Sequence, residues 1–327
     1  MDSSLFIFRQ LSLIIWVLIY VDDILISGSD SSAITRFIAQ LNSLFSLKDL
    51  GPLSFSLGIK VYGNSTGLYL SQAKYIRELL AKTSMLECKT SPTPASTSVQ
   101  LGKDIGASFS DKLLYRSTIG TLQYLLLTRP DLAFIINKLS QFMQAPTEVH
   151  WAACKCVLHY LKGTIQLGLH IRSSLRSSLY GYTDANWASN VDDRRSTGGC
   201  CVYLNDNLVS WSSRKQHVVA RSSMESEYRA LAHGIDELAW IQSLLNELCV
   251  PVSHPPILLC DNMSARSLAS NPVFHVRTKH IEIDVHFVRD KVFQQLLQVN
   301  YFHSTGQVAN IFTKVLSIEG ICFSEIN

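Results

Sequence analysis

Residues 13–30 read LIIWVLIYVDDILISGSD, a long apolar run with two adjacent acids, Asp22 and Asp23, in its middle. Such a run belongs either in a bilayer or in a folded core, and its length decides between them. Crossing a bilayer takes about 20 apolar residues. The apolar stretch 11–21 is closed off by Arg9-Gln10 before it and Asp22-Asp23 after it. It also lacks the basic start and small-residue cleavage site of a signal peptide. The expectation is therefore buried strand and no membrane: SLFIF, a turn at RQLS, then IIWVLIYV, an acidic tip at Asp22-Asp23, and ILISGS. Taken alone, the two acids read as a metal-binding pair, a charged turn, or half of a site.

A chain of 327 residues is long enough for two domains, each with a core of its own. A hydrophobic share of 47% against 17% charged excludes a disordered chain as a whole. The net charge of +3 permits nucleic-acid binding without requiring it. The eight cysteines form no C-x-x-C pair, and several sit in apolar runs such as Leu258-Leu259-Cys260. There a reduced cysteine packs as a small hydrophobe. A reduced, intracellular protein follows, with cytoplasm and nucleus both open.

Helical patterns are expected at 31–45 and 72–84, with a hairpin between them turning at Gly63–Gly67. SPTPASTS at 91–98 reads as a surface linker. The pattern is helical again over 113–161, broken at Arg129-Pro130 and Ala145-Pro146. Ser-rich IRSSLRSS at 171–178 marks a boundary. Beyond it the order is strand, strand, strand, helix, strand, helix, helix, strand, helix, a second and smaller α/β domain of about 140 residues.

Three carboxylates of this second half stand out. In LYGYTDANWA, alternation puts Tyr180, Tyr182 and Asp184 on one face near the strand's end. By itself Asp184 reads as a turn aspartate capped by Asn186. In SSMESEYRALAHGIDELAW, Ser222 and Glu225 have capping-box spacing. Glu227, Leu231, Ile235 and Leu238 share a stripe, and Glu225 points roughly 160° away from it. Asp261 follows the apolar strand ILLC and precedes a helix, where a capping role is as good a single-residue reading. Three acids at inward or strand-end positions together ask for hard divalent cations, Mg²⁺ where phosphates are present.

The runs YTDANWASNVDDRRSTGG, VSWSSRKQHVVARSSMESEYRAL and LLCDNMSARSLASNPVFHVRTKHIEIDVHFVRD resemble the ribonuclease H domain of copia-type retrotransposon polyproteins. LKDLGPLSFSLGIKV, YRSTIGTLQYLLLTRPDLAFIINKLSQFMQAP and VLHYLKGT resemble the reverse transcriptase and connecting region before it. The resemblance implies an α/β (α+β) architecture. A partial palm and thumb at 1–90, a linker and helical connection at 91–178, and a ribonuclease H-like domain at 179–316 would precede a divergent tail at 317–327. The last domain would be a mixed five-stranded sheet with flanking helices.

It also implies that Asp184, Glu227 and Asp261 hold two Mg²⁺ ions, or Mn²⁺ in their place, at the scissile phosphate of the RNA strand in an RNA-DNA hybrid. Asp184 would bridge them. Where the family pattern Q-x-A-D-x-x-T-K has its fourth acid, this chain reads QVANIFTK and carries Asn310. Its amide oxygen can coordinate, but the site loses one negative charge. Weakened cleavage with a higher Mg²⁺ requirement follows.

The notable cations here are Arg194-Arg195, Arg214-Lys215 and Arg277-x-Lys279-His280, able to neutralise phosphates near a hybrid. Histidines 275, 280, 286 and 303 have no metal-motif spacing and read as packing or hydrogen-bonding residues. His280 and Asp284, one helical turn apart, read as a surface pair or as a pair that lines the site.

Tyr20-Val21-Asp22-Asp23 matches the Y-x-D-D hairpin of reverse transcriptases. Polymerisation needs carboxylates from two segments, and in the family the other lies before this chain's first residue. A polymerase remnant without nucleotide incorporation is the expectation. Two readings of the chain result: an Mg²⁺-dependent ribonuclease H-like piece of a Pol polyprotein, or a catalytically weak or inactive nucleic-acid-binding relic of one.

Overall fold

The computed structural model describes residues 4–174, 177–270 and 280–315, and over them the chain builds three sheets. The first is an antiparallel meander of β1 (Leu5–Gln10), β2 (Leu13–Tyr20) and β3 (Asp23–Gly28). Leu11 and Val21 turn its corners in the left-handed region, at φ 55° and 52°. Tyr20 pairs with Asp23, so Val21-Asp22 is the two-residue hairpin loop. Only Ile15 of these strands is buried, while Phe6 and Phe8 are more than half exposed. Helix α1 (Ser31–Leu44) follows, its first turn closed by Asp30 Oδ1 accepting from the Ala33 N–H at 2.7 Å.

The second sheet has the order β4 (Phe55–Ser56), β5 (Ile59–Asn64), β6 (Gly67–Ser71), β7 (Leu169–Arg172), all antiparallel. The expected hairpin turn tightens to Ser65-Thr66, because Asn64 Oδ1 accepts from the Thr66 and Gly67 backbone N–H groups at 2.9 Å. The start of the Ser-rich stretch is strand rather than structure-poor. Arg172 and Ile171 pair with Gly67 and Leu68, and Leu169 is buried against β10.

Helices α2 (Ala73–Lys82), α3 (Lys112–Leu125), α4 (Ala133–Ser140) and α5 (Glu148–Gly163) surround a core that includes Ile76, Leu80, Tyr115, Ile119, Leu122 and Leu158. Both expected breaks fall between helices, since proline cannot supply the N–H that a helix interior needs. Segment 91–98 is not a free linker. Ser91 N–H bonds the His159 carbonyl at 3.2 Å and Ala95 packs on the helical core.

The third sheet is built from β8 (Leu179–Asn186), β9 (Thr197–Leu204), β10 (Asn207–Lys215), β11 (Ile257–Cys260) and β12 (Gln298–Tyr301). Its order is β10-β9-β8-β11-β12, antiparallel across the first three and parallel across the last three. Helix α6 (Ser223–Glu247) crosses one face, and α7 (Met263–Ser270) and α8 (Glu282–Phe293) pack beside it. Gly234 sets how close α6 lies, because a Cβ there would stand 2.4 Å from the Thr183 methyl. The other face carries Tyr180, Tyr203 and Phe312 and receives α4. The expected final helix is two 3₁₀ turns, Ser304–Gly306 and Val308–Phe312. Side chains of Gln307 and Thr313 tie this segment to β8, which holds it short. No helix among the described residues is long and apolar enough to cross a membrane.

Candidate metal centre

Parallel register brings the first two acids together. Cys260 of β11 pairs with Thr183 of β8. The next residues, Asp261 just past the end of β11 and Asp184 still within β8, therefore stand side by side, about one strand spacing apart. Glu227 reaches the same point from above. It lies seven residues before Gly234, so both fall on the stripe of α6 that faces the sheet. One carboxylate oxygen from each of Asp184, Glu227 and Asp261 lies within 4.8 Å of the others.

Three acids this close repel one another. Burial, then Asp184, then Asp261 push the Glu227 carboxyl up to about 9, against a hydrogen bond from the Ala185 backbone and the charge of Lys314. Burial and Asp184 raise Asp261 as well, again opposed by Lys314. Glu227 Oε2 is buried with no hydrogen-bond partner. An orphaned buried oxygen among three hard donors is the condition a divalent cation relieves, so the residues fit Mg²⁺ or Mn²⁺.

The segment 307–314 forms the far wall. Gln307 Nε2 donates to the Thr183 carbonyl at 3.0 Å, the Thr313 hydroxyl donates to Asp184 Oδ2, and Asn186 Nδ2 donates to the Thr313 carbonyl at 3.4 Å. Gly199, paired with Asp184, makes room: a Cβ there would lie 2.7 Å from Phe312 Cβ and 2.8 Å from the Thr313 methyl. Asn310 donates from Nδ2 to the Ser304 carbonyl at 3.3 Å, which leaves its Oδ1 buried and unbonded. Gln307, Thr313 and Lys314 were not predicted as site residues. Their sequence signal is the run QVANIFTK, which carries all three beside Asn310.

Residues 2–97 match the family model described as reverse transcriptase (RNA-dependent DNA polymerase). Over 316 residues, 97% of the chain, the sequence is 46% identical to the retrovirus-related Pol polyprotein from transposon RE2 of Arabidopsis thaliana. It is also 43% identical over 226 residues to an uncharacterized mitochondrial protein of the same plant, covering 69% of this chain and 93% of that one. The chain belongs to the Pol polyproteins of copia-type retrotransposons. It spans about a fifth of the curated polyprotein, 22% of its length. The foamy viral protease-reverse transcriptase solved with an RNA/DNA hybrid aligns with 92% of this chain and 37% of its own at a TM-score of 0.51. At 12% identity that is a likeness of fold.

Within this Pol fragment the other predicted residues lie apart. Asp22 and Asp23 are exposed at the β2–β3 hairpin and join no three-acid group among the described residues. That hairpin sheet touches the end of α6, where Trp16 Nε1 donates to the Leu248 carbonyl at 3.0 Å. Asp193 gathers two of the predicted cations, Lys215 at 2.6 Å and Arg195 at 3.6 Å, while Arg194 and Arg214 are exposed. His275, Arg277 and Lys279 lie outside the described residues. His280 is exposed and supplies its carbonyl to Arg229 at 2.9 Å, and Asp284 faces Arg229 at 3.9 Å. The helix cap differs likewise. Ser222 Oγ accepts from Glu225 N–H at 3.2 Å, whereas the Glu225 carboxylate takes the Arg221 N–H and the Arg229 guanidinium. The nearby guanidinium draws it from the Ser222 N–H. His303 accepts from the Thr305 N–H at 3.3 Å as a turn cap.

Proposed function

We propose that residues 179–316 form a ribonuclease H-like domain that hydrolyses the RNA strand of RNA-DNA hybrids with Mg²⁺. The observation that carries this reading is the convergence of Asp184 in β8, Asp261 just after β11 and Glu227 in the first turns of α6 to within 4.8 Å. Those three carboxylates would hold the cations, two Mg²⁺ or Mn²⁺, with the unbonded Asn310 Oδ1 as a neutral fourth donor. Bound there, divalent cations activate a water and stabilise the leaving oxygen at phosphorus, with no protein nucleophile required.

The chain's own residues then position and exclude. Thr313 holds one oxygen of Asp184 and leaves the other for a cation. Burial of Asp184 and Glu227 lowers the local dielectric and strengthens each charge interaction. Exposed Arg194 and Arg214 would meet hybrid phosphates, and His280 stands on the same unit. Arg195 and Lys215 would do so in exchange for Asp193. Asp22 and Asp23 join no such cluster among the described residues, and the hydrolytic reading rests on the second half of the chain.

Asn310 supports a second reading, a hybrid-binding piece with little turnover, because a neutral amide attracts a cation less than a carboxylate does. Cleavage of a labelled hybrid by the full chain in Mg²⁺, with Asp184→Asn as control, separates the two. Cleavage lost in the control supports the nuclease. Tight hybrid binding with no cleavage by the unmodified chain supports the second reading.

A further inference from the structure

A cleft of about 640 Å³ opens where the helical connection meets the third sheet. Phe134 and Lys138 of α4, Val149 and Ala153 of α5, Val191 of the loop after β8, and Val315 line it, together with the strap 95–101. Phe134 and Lys138 stand four residues apart on α4 and so share a face. One helix thus presents an aromatic ring and a cation to the same space.

Lys138 is half-buried, and its ammonium has no hydrogen bond or ion pair among the described residues. Asp192 and Asp193 attract it through space without bonding to it. Asp193 is bonded to Lys215 at 2.6 Å, and Asp192 Oδ1 accepts from the Lys103 N–H at 3.0 Å. The rest of the wall is mainly apolar, with exposed Glu148 at the rim. Val315 is two residues from Thr313, whose hydroxyl binds Asp184. Two residues span at most about 7 Å, so this end of the cleft adjoins the acid site.

A cation with no hydrogen bond or ion pair of its own among the described residues, lining an apolar cleft together with an aromatic ring, suits a flat apolar body carrying an anionic group. We propose that the cleft holds one unpaired nucleotide of a nucleic-acid strand, its base on Phe134 and its phosphate on Lys138. The Glu148 carboxylate can accept from an exocyclic amino group of the base and disfavours phosphate at its own end. Stacking tolerates any base, so the only selectivity is the one Glu148 adds, for bases that carry an exocyclic amino group. The proposal rests on the nuclease reading only for the source of the strand.

The test measures affinity of the full chain for a blunt RNA-DNA hybrid and for the same hybrid with a short single-stranded extension. Divalent cations are omitted, so the result does not depend on metal binding or cleavage. The extension tightens binding about tenfold, the scale of one stacked base. Phe134→Leu and Lys138→Met each remove most of that gain, and Lys138→Met lowers the salt slope by about one. Lys138 makes no hydrogen bond or ion pair among the described residues, so the melting temperature of Lys138→Met stays at the parent's and reports an intact fold. A free nucleoside monophosphate that erases the gain while leaving blunt-hybrid binding unchanged identifies the nucleotide itself as the ligand. Equal affinity for blunt and extended hybrids, or a full gain retained in Lys138→Met, overturns the proposal. A hybrid that gains from its extension but is never cleaved in Mg²⁺ overturns the nuclease reading alone.

Discussion

The Thr313 hydroxyl donates to Oδ2 of Asp184, so one oxygen of the innermost acid is fixed by the segment that also carries Asn310. Thr313 is fully buried, and among the described residues its other hydroxyl acceptor is the Asn310 carbonyl at 3.2 Å. Outer partners of this kind orient the acids that meet a metal. Thr313→Val is expected to weaken Mn²⁺ binding about 10- to 100-fold by calorimetry, the usual scale for such partners. Thr313→Ser keeps the hydroxyl and most of the affinity. Equal affinity in the valine and serine variants would remove Thr313 from this role.

Asn310 offers the test in the opposite direction. Its Oδ1 is already buried and unbonded, so Asn310→Asp places a charge where a donor stands. Cleavage should rise and the Mg²⁺ concentration for half-maximal rate should fall. A titration in which neither moves would show that the fourth position is not part of the centre.

Much of this geometry was readable from residue order. The stripe Glu227, Leu231, Ile235 and Leu238 is buried along α6, and Asp261 ends its strand as the ILLC run required. The pairing of Cys260 with Thr183 was not readable, because register between parallel strands depends on a crossover helix and not on any local pattern. Nor was β7, whose four residues carry too little alternation to stand out from the serines after them. Thr313 was hidden for another reason. A hydroxyl matters only through what it faces, and its acceptor lies 129 positions away.

Gly234 makes a packing prediction. A Cβ there would meet the Thr183 methyl at 2.4 Å and Leu258 at 3.2 Å, so Gly234→Ala forces α6 off the sheet. The cost should be about 1–3 kcal/mol in denaturant unfolding. Gly120 in α3 has nothing within 4 Å of the same atom, and Gly120→Ala should stabilise by up to about 1 kcal/mol. A destabilised Gly120→Ala beside an unaffected Gly234→Ala would reverse this assignment of the two contacts.

His150 predicts how stability depends on pH. Its Nδ1 accepts from the Thr147 N–H at 3.0 Å, so the proton sits on Nε2, facing the Gly102 carbonyl at 3.1 Å. Burial lowers its pKa below the ordinary 6.5, and Lys138 adds to that. The unfolded chain therefore takes up a proton that the native state refuses. Stability is full above the unfolded value and is lost as pH falls through and below about 6.5. His233, lowered by burial and Arg214, acts in the same sense. His150→Gln should be less stable at pH 7 but lose less on acidification from pH 7 to 5. An unchanged slope in that variant would assign the pH dependence to other groups.

Arg129 and Asp131 show what the helical region around α3 to α5 cannot lose. The guanidinium is bonded to both Asp131 oxygens at 2.9 and 2.7 Å and to the Thr164 carbonyl and hydroxyl, with side chains only 1% and 4% exposed. Tyr160 covers the guanidinium from 5.5 Å. Removing one partner strands the other charge in the interior, so Arg129→Met should cost about 3–5 kcal/mol. Removing both leaves no stranded charge, and Arg129→Met with Asp131→Leu should recover a large part of that loss. The comparison is made by denaturant unfolding of the two variants against the parent. If the double variant is no more stable than Arg129→Met, the loss comes from packing and the Thr164 contacts rather than from an unpaired Asp131.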